Sequence, residues 1–233
     1  MAAKLPPALL ALTPGTLVGG PDVAAFVQQA KQLIDGGLRG ILLREPNLGD
    51  RELLSLARDL KSVLVQTEDE SAWLGVHDCL HVAQAAAADG AHIGFRSLDV
   101  TSARRLLGPK ICLGVSTHCG DSAAKWAGAD YVFHSPVFYT PSKAGLLEPI
   151  GPEQLLRFAQ HLQEMDGPRV WGLGGITPDN CDLILGLDHR AQPHGIVVRG
   201  ALFDSDSSLA NLTDLLGLLR THQVHDNRPV AGG

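Results

Sequence analysis

Aromatic residues are scarce in this sequence: Phe, Trp and Tyr make up 5 % of 233 residues. A core with so few rings must be built from aliphatics, and apolar residues reach 45 %, enough for one sizeable core. Basic clusters are also lacking. No run of five Lys or Arg occurs and the net charge is −6, which argues against a nucleic acid or an anionic membrane surface as partner. A small anion remains compatible, because a few cations suffice for it. No apolar run reaches 18 residues, so nothing reads as a membrane span. The opening MAAKLPPALLALTPG has one lysine and an apolar run, Ala8–Leu12, that is too short for a signal peptide. It reads as a first strand, and a cytoplasmic location is the expectation. The four cysteines, Cys79, Cys112, Cys119 and Cys181, form no CxxC pair. Cys112, His118 and Cys119 are the widest metal reading; without a second ligand pair, barrel-lining thiols are the plainer one. Such scattered cysteines suit a reducing compartment.

What is present is alternation. Short aliphatic runs at Ala8–Leu12, Gly40–Leu43, Trp73–Val76, Ala91–Ile93, Ile111–Val115, Tyr131–Phe133, Val170–Leu173 and Gly195–Val198 make eight candidate strands. Near-continuous apolar strands belong to a parallel sheet covered on its faces. Helical stripes lie between them. Asp22 reads as the cap of a helix carrying Val23, Phe26, Val27, Ala30, Leu33 and Ile34, ended by Gly36-Gly37. Asp50 opens a second helix, Thr177-Pro178 caps a later one, and a leucine-rich stripe from Leu209 to Leu219 makes the last. The expected fold is a single α/β domain, a (β/α)₈ TIM barrel over residues 1–222, with a polar tail at 223–233. A doubly wound open sheet is the competing architecture.

In such barrels chemistry lies on the loops after the strands. Gly174-Gly175 follows the seventh run and Gly200 the eighth, the usual place for a phosphate held by backbone N–H groups. They could equally be plain turn glycines. The stretch His134–Gly151 is long for a connection and carries Thr140, Ser142 and Lys143, two hydroxyls and an ammonium suited to one anion. Arg44 ends the second run and either meets Glu45 or faces an anion. Asp78, after His77, caps the next helix, orients His77 or holds Mg²⁺. Ser116 and His118 end the fifth run, and His92 inside the fourth reads as a core histidine.

The segments ILLREPN, HDCLHVAQAAAADGAHIG, LGVSTH, GADYVFHSPVFYTPSKAG, GLGGITPDN and GIVVRGALF together resemble the thiamine-phosphate synthases and their relative, the thiazole tautomerase TenI. The resemblance spans about residues 8 to 220. It implies a barrel joining a pyrimidine diphosphate to a thiazole phosphate through a pyrimidine carbocation, with pyrophosphate released. It implies that Arg44, Ser116 and Lys143 contact the diphosphate. Thr140, Ser142, Gly174, Gly175, Arg199 and Gly200 would hold the thiazole phosphate. It implies Mg²⁺ as cofactor, with Asp78 as a ligand.

The departures from the family pattern are local. Leu42 and Pro46 stand where the synthases have glutamine and lysine. His77 replaces an asparagine, and Ser97 stands at the second Mg²⁺ ligand, with Asp99 two residues on. Arg96 and Arg199 could replace lost positive charge. Pro136 occupies the tautomerase's histidine position, leaving His77 and His134 as acid–base candidates for an isomerase. Three readings follow: a synthase, a tautomerase, or a non-catalytic binder of thiazole or thiamine phosphates.

Overall fold

The computed structural model describes residues 3–143, 145–187 and 192–222. The expected tail at 223–233 lies outside them. Eight parallel strands pair in sequence order and close, β8 on β1. They are β1 Leu9–Leu12, β2 Gly40–Leu43, β3 Trp73–His77, β4 Gly90–Ile93, β5 Cys112–Thr117, β6 Tyr131–His134, β7 Arg169–Leu173 and β8 Gly195–Val198. The helices are α1 Pro21–Asp35, α2 Asp50–Val65, α3 Leu80–Ala85, α4 Val100–Leu107, α5 Gly151–Glu164, α6 Pro178–Leu185, α7 Gly200–Phe203 and α8 Ser208–Thr221. Only a 3₁₀ turn, Ala123–Lys125, lies between β5 and β6. The barrel, not the open sheet, is the architecture.

Two helix starts differ from expectation. Asp22 is not a cap; it lies in the first turn of α1, behind Gly20 and Pro21. Asp78 does not cap α3, whose N-cap is Cys79. Thr177 does precede α6, and its N–H donates to Asn180 Oδ1 at 2.9 Å.

Side chains alternate along each strand, so residues two apart share a face. The inward set is Leu10, Leu42, Trp73, Cys112, Tyr131, Phe133, Trp171 and Val197, all buried. Two of the three tryptophans lie there with Tyr131 and Phe133, and strand glycines make the room. A Cβ on Gly75 or Gly90 would lie 2.3 Å from the Trp73 ring, on Gly114 2.1 Å from Tyr131, and on Gly195 2.5 Å from Trp171 Nε1. The N-terminal segment seals the lower end: Trp73 Nε1 donates to Lys4 O at 3.0 Å and Trp171 Nε1 to Pro7 O at 2.9 Å. The outward set packs on the helices, as Val132 does in the cluster that contains Leu155 and Leu162 of α5.

Gly114→Ala should therefore destabilise the barrel by about 1–3 kcal/mol through overpacking against Tyr131. Urea unfolding of the two proteins checks this; equal midpoints would contradict the packing account.

Candidate functional site

The same alternation chooses what reaches the barrel mouth. Counting by twos from the buried interior gives Arg44 after Leu42, His77 after Gly75, His92 after Gly90, Ser116 after Gly114 and Arg199 after Val197. These residues top the plug of rings. His92 is fully buried and stacks on Phe133 with centroids 4.0 Å apart. Its Nε2 lies 2.9 Å from Ser116 Oγ and its Nδ1 3.3 Å from Tyr131 Oη. Burial, helped by the nearby His77, pushes the His92 pKa well below its usual value, so the ring is neutral. The expected core histidine is thus also the group that orients Ser116.

Arg44 is exposed, and its guanidinium meets no hydrogen-bonding or ionic partner among the described residues. It does not pair with Glu45. That carboxylate is buried and accepts from Gly15 N and Leu17 N, each at 2.9 Å, tying the loop after β1 to β2. Thr13 adds a second tie, its Oγ1 accepting from Arg44 N at 2.9 Å and donating to Arg44 O at 3.2 Å. Gly15, at φ 80°, leaves space for Arg44: a Cβ there would lie 3.0 Å from the guanidinium. Nothing in the sequence marks Glu45 or Thr13 for this work, because both partners are backbone atoms distant along the chain.

Asp78 sits at φ 61° beside His77. Its Oδ2 lies 2.9 Å from His77 Nδ1, and its Oδ1 accepts from Gly94 N at 3.0 Å and from the Ser97 hydroxyl. Burial opposes the charged carboxylate. The His77 hydrogen bond and charge, the Ser97 hydroxyl and the Gly94 N–H outweigh it, holding the pKa well below the usual carboxylate range. Asp99 is not brought to Asp78; it caps α4, accepting from Ser102 N at 2.9 Å and Ser102 Oγ at 2.8 Å. Mg²⁺ needs near-octahedral oxygen ligation, commonly one or two carboxylates plus phosphates. Here a single carboxylate is present, with most of its lone pairs engaged. No three His, Cys, Asp or Glu side chains among the described residues form a metal-holding group, Cys112, His118 and Cys119 included. The residues present do not make a protein Mg²⁺ site.

The long loop after β6 begins with a cis Ser135-Pro136 bond. It is closed at its base by Ile150 N on Pro136 O at 2.9 Å and Gly151 N on Val137 O at 3.0 Å. A 3₁₀ turn at Pro141–Lys143 contains Ser142 and follows Thr140, whose carbonyl accepts from Lys143 N at 3.0 Å. The Lys143 ammonium has no partner among the described residues. Gly174 and Gly175 have φ 108° and 64°, and this loop crosses directly over them. A Cβ would lie 2.8 Å from Pro136 at Gly174, and 2.3 Å from the Tyr139 carbonyl at Gly175. Both glycines are therefore required by backbone packing, whatever else they do. Gly200 opens the four-residue α7, and Arg199 lies 3.7 Å from Asp204 across a loose ion pair.

His134 does not reach the mouth. It ends β6 three residues after Tyr131, on the opposite face, and stacks on Phe158 of α5 at 3.9 Å. There it lines a cavity of about 230 Å³ outside the barrel, with His118, Cys119, Asp121, Trp126 and His161. Thr117 Oγ1 donates to Phe133 O at 3.0 Å and so accepts from His134 Nδ1, also at 3.0 Å. The buried Nε2 has no partner. Burial, then the neighbouring His118, lowers the His134 pKa to about 4.

A folded pKa below the unfolded value near 6.5 means that the unfolded chain binds the extra proton first. The His134 contribution to stability is level above pH 6.5 and falls as pH drops towards 4. His134→Leu should remove about 3 kcal/mol of that acid sensitivity. Urea unfolding at pH 7 and pH 4.5 measures it, and an unchanged pH slope would refute the assignment.

The family model described as thiamine monophosphate synthase matches residues 13–202. A chain of Geobacter sulfurreducens is 39 % identical over 219 residues, 93 % of this chain and 96 % of its own. The thiamine-phosphate synthase of Moorella thermoacetica is 40 % identical over 169 residues, 71 % of this chain and 75 % of that one. The solved thiamine phosphate pyrophosphorylase of Pyrococcus furiosus superposes with a TM-score of 0.73 at 22 % identity, covering 94 % of this chain and 96 % of its own, a likeness of fold. With the family model spanning most of the barrel and these relatives extending along it, the chain belongs to the thiamine monophosphate synthase family.

Proposed function

We propose that this barrel is a thiamine-phosphate synthase, a transferase that joins a hydroxymethylpyrimidine diphosphate to a thiazole phosphate. The supporting observation is the ring of inward-facing polar residues above the aromatic plug, Arg44, His77 and Ser116, in a chain of this family. The C–O bond between the pyrimidine methylene and the diphosphate breaks, its electron pair leaving on the diphosphate oxygen. The thiazole nitrogen lone pair then forms the new C–N bond, so pyrophosphate departs and no proton is consumed. Negative charge grows on the leaving group, and preorganised donors aimed there lower the barrier.

Arg44 and Lys143 supply positive charge to the diphosphate, and Ser116 a hydroxyl. If His92 carries its proton on Nε2 and donates to Ser116 Oγ, the Ser116 proton is left for a phosphate oxygen. The thiazole phosphate lies towards Thr140, Ser142, Gly174, Gly175 and the Arg199-Gly200 turn, where glycines admit close backbone approach. Substrates are small phosphorylated heterocycles. The tautomerase reading keeps His77 alone as an acid–base group at the mouth, since His134 packs against α5. The domain is residues 1–222. No helix among the described residues is long and apolar enough to cross a membrane; with four free cysteines, the cytoplasm is the compartment we assign.

Purified protein given both substrates should release thiamine phosphate and pyrophosphate. Arg44→Ala and Ser116→Ala should each lower kcat by on the order of 10²–10³, the usual cost of one preorganised contact. Absence of thiamine phosphate at high enzyme concentration would reject the synthase reading.

A further inference from the structure

The carboxylates and cations on the mouth loops are partitioned in an unusual way. The carboxylates are mostly engaged inside the protein. Glu45 binds Gly15 N and Leu17 N, Asp99 binds Ser102, Asp121 accepts from His118 N at 2.9 Å, and Asp204 lies 3.7 Å from Arg199. Asp78 is held by His77, Gly94 and Ser97. Glu148, in the long loop, is exposed. The cations divide: Arg199 meets Asp204 and Lys125 lies over the Phe95 ring, whereas the side chains of Arg44, Arg96 and Lys143 have no hydrogen-bonding or ionic partner among the described residues. These last three stand on the loops after β2, β4 and β6, on alternate strands around one rim. The chain carries a net charge of −6, so this local excess of uncompensated positive charge is a property of the mouth and not of the whole surface.

A divalent ion at a diphosphate supplies positive charge and takes up carboxylate lone pairs. Here both needs are met by protein groups. His77 and Ser97 occupy the lone pairs of Asp78 that a metal would take, and guanidinium groups bind phosphate oxygens directly, two at a time. We infer that this chain binds and neutralises a diphosphate with Arg44, Arg96 and Lys143, and that its turnover needs no divalent metal. The metal-independence of turnover rests on the synthase reading above; the metal-independence of binding does not. Asp78 then serves as a positioning residue, the acceptor that holds His77 and Ser97 in place at the mouth.

Calorimetric titration of the full chain with inorganic pyrophosphate, in EDTA and in Mg²⁺, tests the binding claim. Affinity in EDTA should stay within about threefold of that in Mg²⁺, and Arg44→Ala and Arg96→Ala should each weaken it by about tenfold or more. Both arginines are exposed, so the variants should melt like the parent, which a thermal scan verifies. Pyrophosphate binding that appears only with Mg²⁺ would overturn the inference, as would affinity in EDTA that ignores both substitutions. Turnover is then compared in the same two buffers. Activity that persists in EDTA supports metal-free chemistry; activity lost in EDTA and restored by Mg²⁺ overturns it. Metal-free pyrophosphate binding without turnover in either buffer would reject the synthase reading while supporting the binding claim.

Discussion

The mouth stands where it does because the barrel is plugged by rings packed over strand glycines. Trp73 lies against Gly75 and Gly90, Tyr131 against Gly114 and Trp171 against Gly195, at spacings where no Cβ fits. Close packing of this kind transmits position, because a filled interior has few alternative arrangements. Phe133 caps the plug, His92 stacks on Phe133, and Ser116 hydrogen-bonds to His92. The location of a polar hydroxyl at the mouth is thus set by buried aromatic contacts from below. Four of the eleven aromatic side chains, Trp73, Tyr131, Phe133 and Trp171, make this plug.

The strands were legible because each is a short apolar run, and a parallel barrel buries both faces. All eight expected runs lie on observed strands, with ends shifted by a residue or so. The placement of candidate residues was legible where position and period agree: Arg44, His77 and Ser116 lie at or next to the ends of their strands and share the parity of the buried interior. His134 shows where position alone misleads. It ends a strand too, but lies three residues from Tyr131, and an odd offset puts it on the helix-facing side. That signal was available in the sequence. The roles of Glu45, Thr13 and Asp99 were not, since their partners are backbone or local cap groups chosen only when the loops fold.

Glycines at the seventh loop carry a similar lesson about overlapping constraints. Gly174 and Gly175 read as a phosphate cradle, and also as turn residues. The structure supplies a third reason: the long loop after β6 passes so closely that a side chain at either position would strike it. That crossing brings the turn containing Lys143 to the same side of the barrel as the glycines, with Phe138 N donating to Gly174 O at 3.0 Å. Backbone packing and anion binding therefore ask for the same residues here, and the sequence pattern cannot separate them.

Two of the departures from the family pattern, Leu42 and Ser97, have different physical origins. Leu42 faces inward and is fully buried, and its Cδ1 would lie 2.9 Å from a Cβ on Gly75. An amide at that depth would need partners that the surrounding apolar and aromatic groups do not offer, at a cost of about 1–3 kcal/mol. Leucine there belongs to the plug. Ser97 belongs to the mouth. Its hydroxyl donates to Asp78 and accepts from Gly94 N at 2.7 Å, so it completes a hydrogen-bonded set around one carboxylate. His77 completes the same set from the other oxygen. One of these residues deepens the apolar floor, and the other, with His77, satisfies the oxygens of Asp78.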